Sequence, residues 1–210
     1  WGATIDISDE DGDGILGDND LCPNDAPEEG MDSNNDGCTD APAGSTSTVS
    51  DDMEGGSTLT WAEDASVLTI VDNPFSGTGN TSAKVVKYED PGVASPYSNI
   101  RFDLAADHSL KFDLTSKNVF TVNVYVPTPA TPVTQPLNLA LKLQDGSAAQ
   151  PWEGQSVVDM PYVYDQWQTL TFEFSSQAAE TKYSRIVIQF NGEDNQEPVE
   201  AAYIDDILLQ

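Results

Sequence analysis

The residues best placed to do chemistry are carboxylates at alternate positions. Asp9, Asp11 and Asp13 are followed by Gly14 and Ile15, with Asp20 further along. A hard cation such as Ca²⁺ takes about six to eight oxygens. Carboxylates supply them at loop positions 1, 3 and 5, a backbone carbonyl at position 7, and Gly at position 6 permits the sharp turn. Counted from Asp9, position 6 is Gly14, position 7 is Ile15 and position 12 is Asp20. A second run repeats the scheme with Asp32, Asn34, Asp36, Gly37 and Cys38, and Asp40 lies just beyond. Two runs, each with Gly at the sixth place, argue for bound calcium and against a disordered acidic tail. A helix-flanked calcium loop is a poor fit. It requires Glu at position 12 and amphipathic helices on both sides, whereas these flanks are rich in Pro, Asp and Asn.

A second set of residues is suited to holding polyhydroxylated molecules. Arg101, Lys142, Gln144 and Gln189 each occupy the polar side of an alternating apolar run, while Tyr97 and Trp152 lie in loops. Amide and cationic donors bond to hydroxyls, and flat aromatic rings stack on the C–H faces of pyranoses. Trp152 sits in Gln-Pro-Trp-Glu-Gly, a loop without apolar periodicity, where an exposed Trp calls for a binding role. Trp167 starts an alternating run and is expected to pack. Tyr162 and Tyr164 share a face that would flank the site. His108, alone in a polar loop, is expected to be solvated.

These side chains need strands to position them. From residue 51 onward, runs at 68–71, 83–88, 99–104, 120–126, 137–143, 166–174, 185–190 and 202–209 alternate with period two. They are rich in Val, Ile, Thr and aromatics, and Gly, Pro, Asn and Asp separate them. Eight to ten strands at this spacing, with no amphipathic helix, predict an all-β fold, an antiparallel β-sandwich or jelly roll over residues 51–210. Ile100, Phe102, Leu104, Leu137, Leu139, Leu141, Leu143, Ile186, Ile188 and Phe190 would face its core. If the strands are ordered as in a jelly roll, three of these runs share a sheet. Arg101, Lys142, Gln144 and Gln189 then present one surface, with Tyr97 and Trp152 at its margin. Residues 1–40 form a separate small, irregular, calcium-wrapped segment, and residues 41–50 read as a linker rich in Ala, Ser, Thr, Pro and Gly.

Charge narrows the partners. The 210 residues hold 8 basic and 36 acidic side chains, a net charge of −28. Nucleic acids and anionic membranes are therefore excluded as partners. No apolar run approaches the length of a membrane span. The start shows no basic-then-apolar leader, which reads as a mature form or an excised piece. The first 50 residues carry 13 acids and no base; the other 160 carry 23 acids and all 8 bases. Catalytic machinery is thin: one His, no nucleophile elbow and no compact Glu-x-Asp-x-x-Glu strand motif. Glu193 to Glu197 has the wrong spacing for a carboxylate pair, so the chain reads as a non-enzyme.

Two resemblances add to this reading. DEDGDGILGDNDLCP (9–23) and DSNNDGCTD (32–40) resemble thrombospondin type 3 repeats, although Gly17 stands where that family usually has Asp. The resemblance implies two or more calcium ions, a Cys22–Cys38 disulfide and an extracellular location, with the segment acting as a stiff spacer. The remainder resembles β-sandwich carbohydrate-binding modules of secreted marine bacterial polysaccharidases and surface glycan-binding proteins. The matching stretches are DDMEGG (51–56), IVDNPFSGTGNTSAKVVKY (70–88), NIRFDL (99–104), LALKLQD (139–145), WQTLTFEF (167–174) and YIDDILL (203–209). That resemblance implies one structural Ca²⁺ where the first and last strands meet, held by Asp52 or Glu54 and by Asp205 or Asp206.

The expectation is a monomeric, non-catalytic module that binds a polysaccharide, foremost a β-1,3-glucan of laminarin type. It would be secreted or exposed on the outer membrane, as part of a larger enzyme or surface glycan-binding protein. Two alternatives remain: an acidic glycan such as alginate, gripped by Arg101 and Lys142, or a calcium-dependent adhesive domain that binds protein.

Overall fold

A computed structural model describes residues 9, 11–24, 27, 37, 44–54, 61–64, 67–90, 98–131, 137–191 and 200–210. The chain divides into two compact units, Trp1–Ser45 and Thr46–Gln210.

Among the described residues of the first unit, aspartate side chains order the backbone. The Asp9 carboxylate accepts the Gly12 N–H (2.8 Å), that of Asp13 accepts the Ile15 N–H (2.7 Å), and that of Asp20 accepts the Cys22 N–H (2.8 Å). Such turns suit short acidic side chains that bond to their own backbone two or three residues on. Gly12 and Gly14 have φ of +81° and +92°, which L side chains rarely adopt. One short 3₁₀ turn, Gly17–Asn19, follows.

The strands are β1 (Ser45–Thr46), at the boundary of the two units, and, in the second unit, β2 (Ser50–Asp51), β3 (Trp61–Asp64), β4 (Val67–Asp72), β5 (Lys84–Glu89), β6 (Asn99–Asp103), β7 (Lys111–Phe112), β8 (Val119–Tyr125), β9 (Asn138–Gln144), β10 (Ser156–Pro161), β11 (Trp167–Glu173), β12 (Arg185–Phe190) and β13 (Ala201–Leu209). A five-stranded sheet runs β10-β9-β12-β6-β3. A six-stranded sheet runs β11-β8-β13-β5-β4, with β2 added beside β13. Strands β1 and β7 form a separate pair. All the strand pairings with a register are antiparallel.

The predicted alternation holds in the buried set. Ile100, Phe102, Leu139, Leu141, Leu143, Ile186, Ile188 and Phe190 meet Phe120, Val122, Val124, Ile204 and Ile207 in one core. Rings of Phe112, Phe120 and Phe174 pack edge to face, with centroids 5.7 and 5.8 Å apart. In β13, Ile204 and Ile207 both point inward although they are three positions apart. A bulge between Asp205 and Leu208 absorbs the extra residue, and Asp206 takes a φ of +46° there. Strand β10 was not foreseen. Its consecutive Val157 and Val158 break the alternation, and Pro161 is tolerated at its end because β10 is an edge strand.

Candidate functional site

The outer face of the five-stranded sheet gathers the polar residues singled out by alternation. Strands β9, β12 and β6 are neighbours, so their outward side chains form rows. One row is Val157, Lys142, Val187 and Arg101, and the next is Asp159, Ala140, Gln189 and Asn99. A third aligns Gln144, Arg185 and Asp103. Four of the six predicted sugar-contacting residues are thereby brought onto one face: Arg101, Lys142, Gln144 and Gln189. Tyr97 lies outside the described residues. Trp152 is 60 % exposed in the turn linking β9 to β10.

The depth of this face differs from the expected open surface. Lys142 and Gln189 are only 5 % and 1 % exposed, and Gln144 is buried too. Buried polar groups persist when they bond to one another. Lys142 Nζ donates to Gln189 Oε1 (2.7 Å), and Gln144 Nε2 donates to Gln155 Oε1 (2.8 Å). These residues form a hydrogen-bonded floor. Residues with exposed atoms include the half-buried Arg101, Asn99, Asp103, Asn138 and Arg185 and the exposed Val157 and Asp159.

The two arginines are used differently. Arg185 grips Asp103 through both carboxylate oxygens, Nε at 2.6 Å and Nη2 at 3.3 Å, the fork geometry that makes such pairs specific. Arg101 has no ion pair among the described residues, and its Nε is a buried donor without a partner. The Asn138 Oδ1 acceptor is similarly orphaned on this face.

His108 departs from its expected solvation. It is half-buried with φ +57°, and Nδ1 lies 3.5 Å from Asp103 Oδ1. It leans so closely on Gly146 that a Cβ there would come within 2.4 Å of Nδ1. Tyr162 is a core residue whose hydroxyl donates to Asn191 Oδ1 (2.6 Å), and burial pushes its ionisation well above the usual phenol range. It does not flank the polar face. Trp167 packs as expected, but on the outer side of the six-stranded sheet.

Possible metal ligands fall in two places. In the first unit, one ligand atom from each of Asp9, Asp11 and Asp13 lies within 4.8 Å of the others, the spacing a single hard cation requires. The Ile15 carbonyl and the Asp20 carboxylate follow in the same loop. Gly37, buried with φ +80°, packs so tightly that a Cβ would come 2.3 Å from Asp20 Oδ1 and 3.3 Å from Asp13 Oδ2. Asp32, Asn34, Asp36, Cys38 and Asp40 lie outside the described residues.

In the second unit, Asp205 is 0 % exposed, and burial raises its carboxyl above the usual range. Its Oδ2 accepts from Asn80 Nδ2 (2.6 Å) and its Oδ1 from the Asp206 N–H (2.9 Å). Asn123, its register partner on β8, has a buried Oδ1 with no donor. Glu54 is committed elsewhere, accepting the N–H groups of Ala83 (2.6 Å) and Lys84 (3.0 Å). Asp52 is exposed and caps the Glu54 N–H. The neighbours of Asp205 are thus Asn80 and Asn123, which motif spacing did not reveal.

No known family matches the sequence, and no curated protein does. Solved structures do match the fold. The module CBM27-1 of Caldicellulosiruptor saccharolyticus, solved with mannohexaose, superposes with a TM-score of 0.54 at 12 % identity, over 78 % of this chain and 96 % of that one. The fold is similar to that of a carbohydrate-binding module. An exo-β-agarase matches with a TM-score of 0.51 at 10 % identity, over 76 % of this chain but 24 % of its own. The xylan-binding CBM22-2 domain of Paenibacillus barcinonensis Xyn10C aligns with a TM-score of 0.47 at 16 % identity, over 77 % and 97 %.

Proposed function

We propose that this chain is a non-catalytic polysaccharide-binding module carried beside a calcium-stiffened acidic spacer. The observation that carries the reading is the outer face of the five-stranded sheet. There Lys142, Gln189 and Gln144 form a hydrogen-bonded floor, and the half-buried Arg101 and Asn99 stand in the same rows with part of their polar side chains exposed. Such a face exchanges hydrogen bonds with sugar hydroxyls, and Trp152 at the end of the hairpin adds a stacking surface.

A neutral glucan, foremost of laminarin β-1,3 type, is the proposed ligand. The net charge of −28 repels acidic polymers, and Asp103 already neutralises Arg185. The same fold holding mannohexaose in CBM27-1 supports a neutral chain. A second reading, an acidic glycan such as alginate, is favoured by Arg101, whose guanidinium no described acid pairs.

Calcium would sit among Asp9, Asp11, Asp13, the Ile15 carbonyl and Asp20, and among Asp32, Asn34, Asp36, the Cys38 carbonyl and Asp40. A further ion beside Asp205 would relieve its buried charge. Ca²⁺ supplies only charge and fixed geometry at these places. The proposed Cys22–Cys38 bridge is supported by the bonded state of Cys22, since the chain has one other cysteine. By the chain-entropy estimate a loop of this size stabilises by about 3 kcal/mol. A disulfide and calcium together fit a secreted or cell-surface protein, with this chain as one part of a larger one.

Affinity electrophoresis tests the reading, with gels holding laminarin, mixed-linkage glucan, xylan, mannan, alginate or agarose, with and without EDTA. Retardation in a neutral glucan is expected, weakened by EDTA. Retardation in alginate alone would replace the neutral ligand by the acidic one. Free migration in every gel would overturn glycan binding and favour a protein partner.

A further inference from the structure

The outer face of the six-stranded sheet holds an aromatic cluster that the polar face on the other sheet does not explain. Tyr203, Tyr125 and Trp167 stand in one register row across β13, β8 and β11. The loop between β4 and β5 lays Phe75 on this row. Its ring stacks on Tyr125 with centroids 4.0 Å apart and planes 10° apart, and meets Tyr203 edge-on at 5.2 Å. Trp167, its ring 5.7 Å from that of Tyr125, is buried, while Phe75, Tyr125 and Tyr203 stay partly exposed.

The Phe75 ring is not needed to fasten this loop. Trp167 Nε1 donates to the Phe75 carbonyl (3.1 Å), Asn73 Nδ2 donates to Asn80 Oδ1 (3.0 Å), and Asn80 Nδ2 donates to Asp205. Gly77 and Asn80 also bridge to each other through their backbones. A large aromatic ring left partly exposed, on a loop already tied by its polar groups, is set for contact with something else.

We propose that Phe75, Tyr125 and Tyr203 form a second glycan-binding platform, on the sheet opposite Arg101 and Lys142. The proposal shares with the preceding reading only its ligand class. Three arguments select a neutral sugar chain as the occupant. The face of the Phe75 ring turned away from Tyr125 offers flat apolar area for a pyranose C–H face, with Tyr125 and Tyr203 holding that ring from below and beside. The Tyr125 and Tyr203 hydroxyls have no hydrogen-bond partner among the described residues, so both can bond to sugar hydroxyls at the edge of that area. Lys87, which stands next to Tyr203 in this row, is compensated by Glu89 (2.7 Å), which leaves no free cation in the row to attract an anion. Two sites on opposite faces would let one module cross-link two chains, or two segments of one chain, of the same polymer.

Isothermal titration of the full chain with laminarihexaose, xylohexaose and mannohexaose tests this. The bound hexasaccharide is expected at two per chain. Arg101→Ala with Trp152→Ala, which disables the first face, should leave one. Phe75→Leu, which keeps apolar contact on Tyr125 but removes the flat ring, should weaken the remaining site by about 2- to 10-fold. Phe75→Tyr should restore it. One hexasaccharide per chain, lost entirely in Arg101→Ala/Trp152→Ala, would overturn the platform and leave the first face standing. An unchanged titration of Phe75→Leu would overturn it as well. A wild-type chain that binds none of the three would overturn the glycan-binding reading itself, and the platform with it.

Discussion

Two arginines on neighbouring strands of one face should respond in opposite ways to the same substitution. Arg101→Met keeps the apolar stem and removes the guanidinium. Among the described residues that guanidinium has no ion pair, so its loss removes no charge pair from the folded state. A half-buried site of this kind changes stability by about 0.5 kcal/mol or less, or about 1–2 °C for a chain of this size. Its hydrogen bonds to a bound glycan are charge-assisted, at about 1.5–3 kcal/mol in total, which is about 10- to 150-fold in affinity. Arg185→Met strands Asp103, whose side chain is 22 % exposed and which loses bonds of 2.6 and 3.3 Å. A largely buried carboxylate that loses its arginine, with His108 Nδ1 at 3.5 Å as the neighbour that remains, costs about 1–3 kcal/mol, or roughly 3–10 °C of melting temperature. The affinity of its folded fraction should stay close to wild type. Calorimetric titration with the hexasaccharide that binds, beside thermal melts followed by circular dichroism, reads both quantities. If Arg101→Met melts about 5 °C low and binds normally, Arg101 is a structural residue and the reasoning about this face is wrong.

Trp152→Ala should lower polymer affinity by about 2- to 10-fold without shifting the melting temperature, because its ring is 60 % exposed; equal affinity would remove it from the site. Gly37→Ala places a Cβ 2.3 Å from Asp20 Oδ1 at a φ of +80°, so titration with CaCl₂ should show one calcium ion weakened or lost. An unchanged calcium isotherm would detach Gly37 from that loop. Asp205 titrates above its unfolded value because burial disfavours its charge, so the folded state binds more protons than the unfolded one between the two values. In EDTA, melts should therefore show stability falling as pH rises through that window. Calcium at 100 times its dissociation constant should return about 2.7 kcal/mol at pH 7, a gain absent from Asp205→Asn. Equal calcium responses in both proteins would exclude Asp205 as a ligand.

Much of the fold was legible because burial enforces period two. The runs holding Ile100, Leu141 and Ile188 gave both the strands and their core faces, and from these the shared face of Arg101, Lys142 and Gln189 follows. Depth was not legible. Alternation says which way Lys142 points, but not that it lies 5 % exposed against Gln189, because that depends on what else packs over the sheet. Long-range pairings were equally hidden. Asn80 meets Asp205 across 125 positions of sequence, joined by a loop whose Gly, Asn and Ser residues read only as a turn. For the same reason Phe75 gave no sign of stacking on Tyr125. The Asp-Asp pair in β13 did point to a special position, and the bulge that turns Asp206 away from Asp205 is its structural form.

The most direct test of a glycan lying on the five-stranded sheet is backbone amide shift mapping of the isotopically labelled chain, titrated with the hexasaccharide that binds. Shifts should cluster on residues 99–103 of β6, 138–144 of β9 and 185–189 of β12, together with the indole N–H of Trp152. A saturable titration in which β6, β9 and β12 stay unmoved would contradict the assignment of that face.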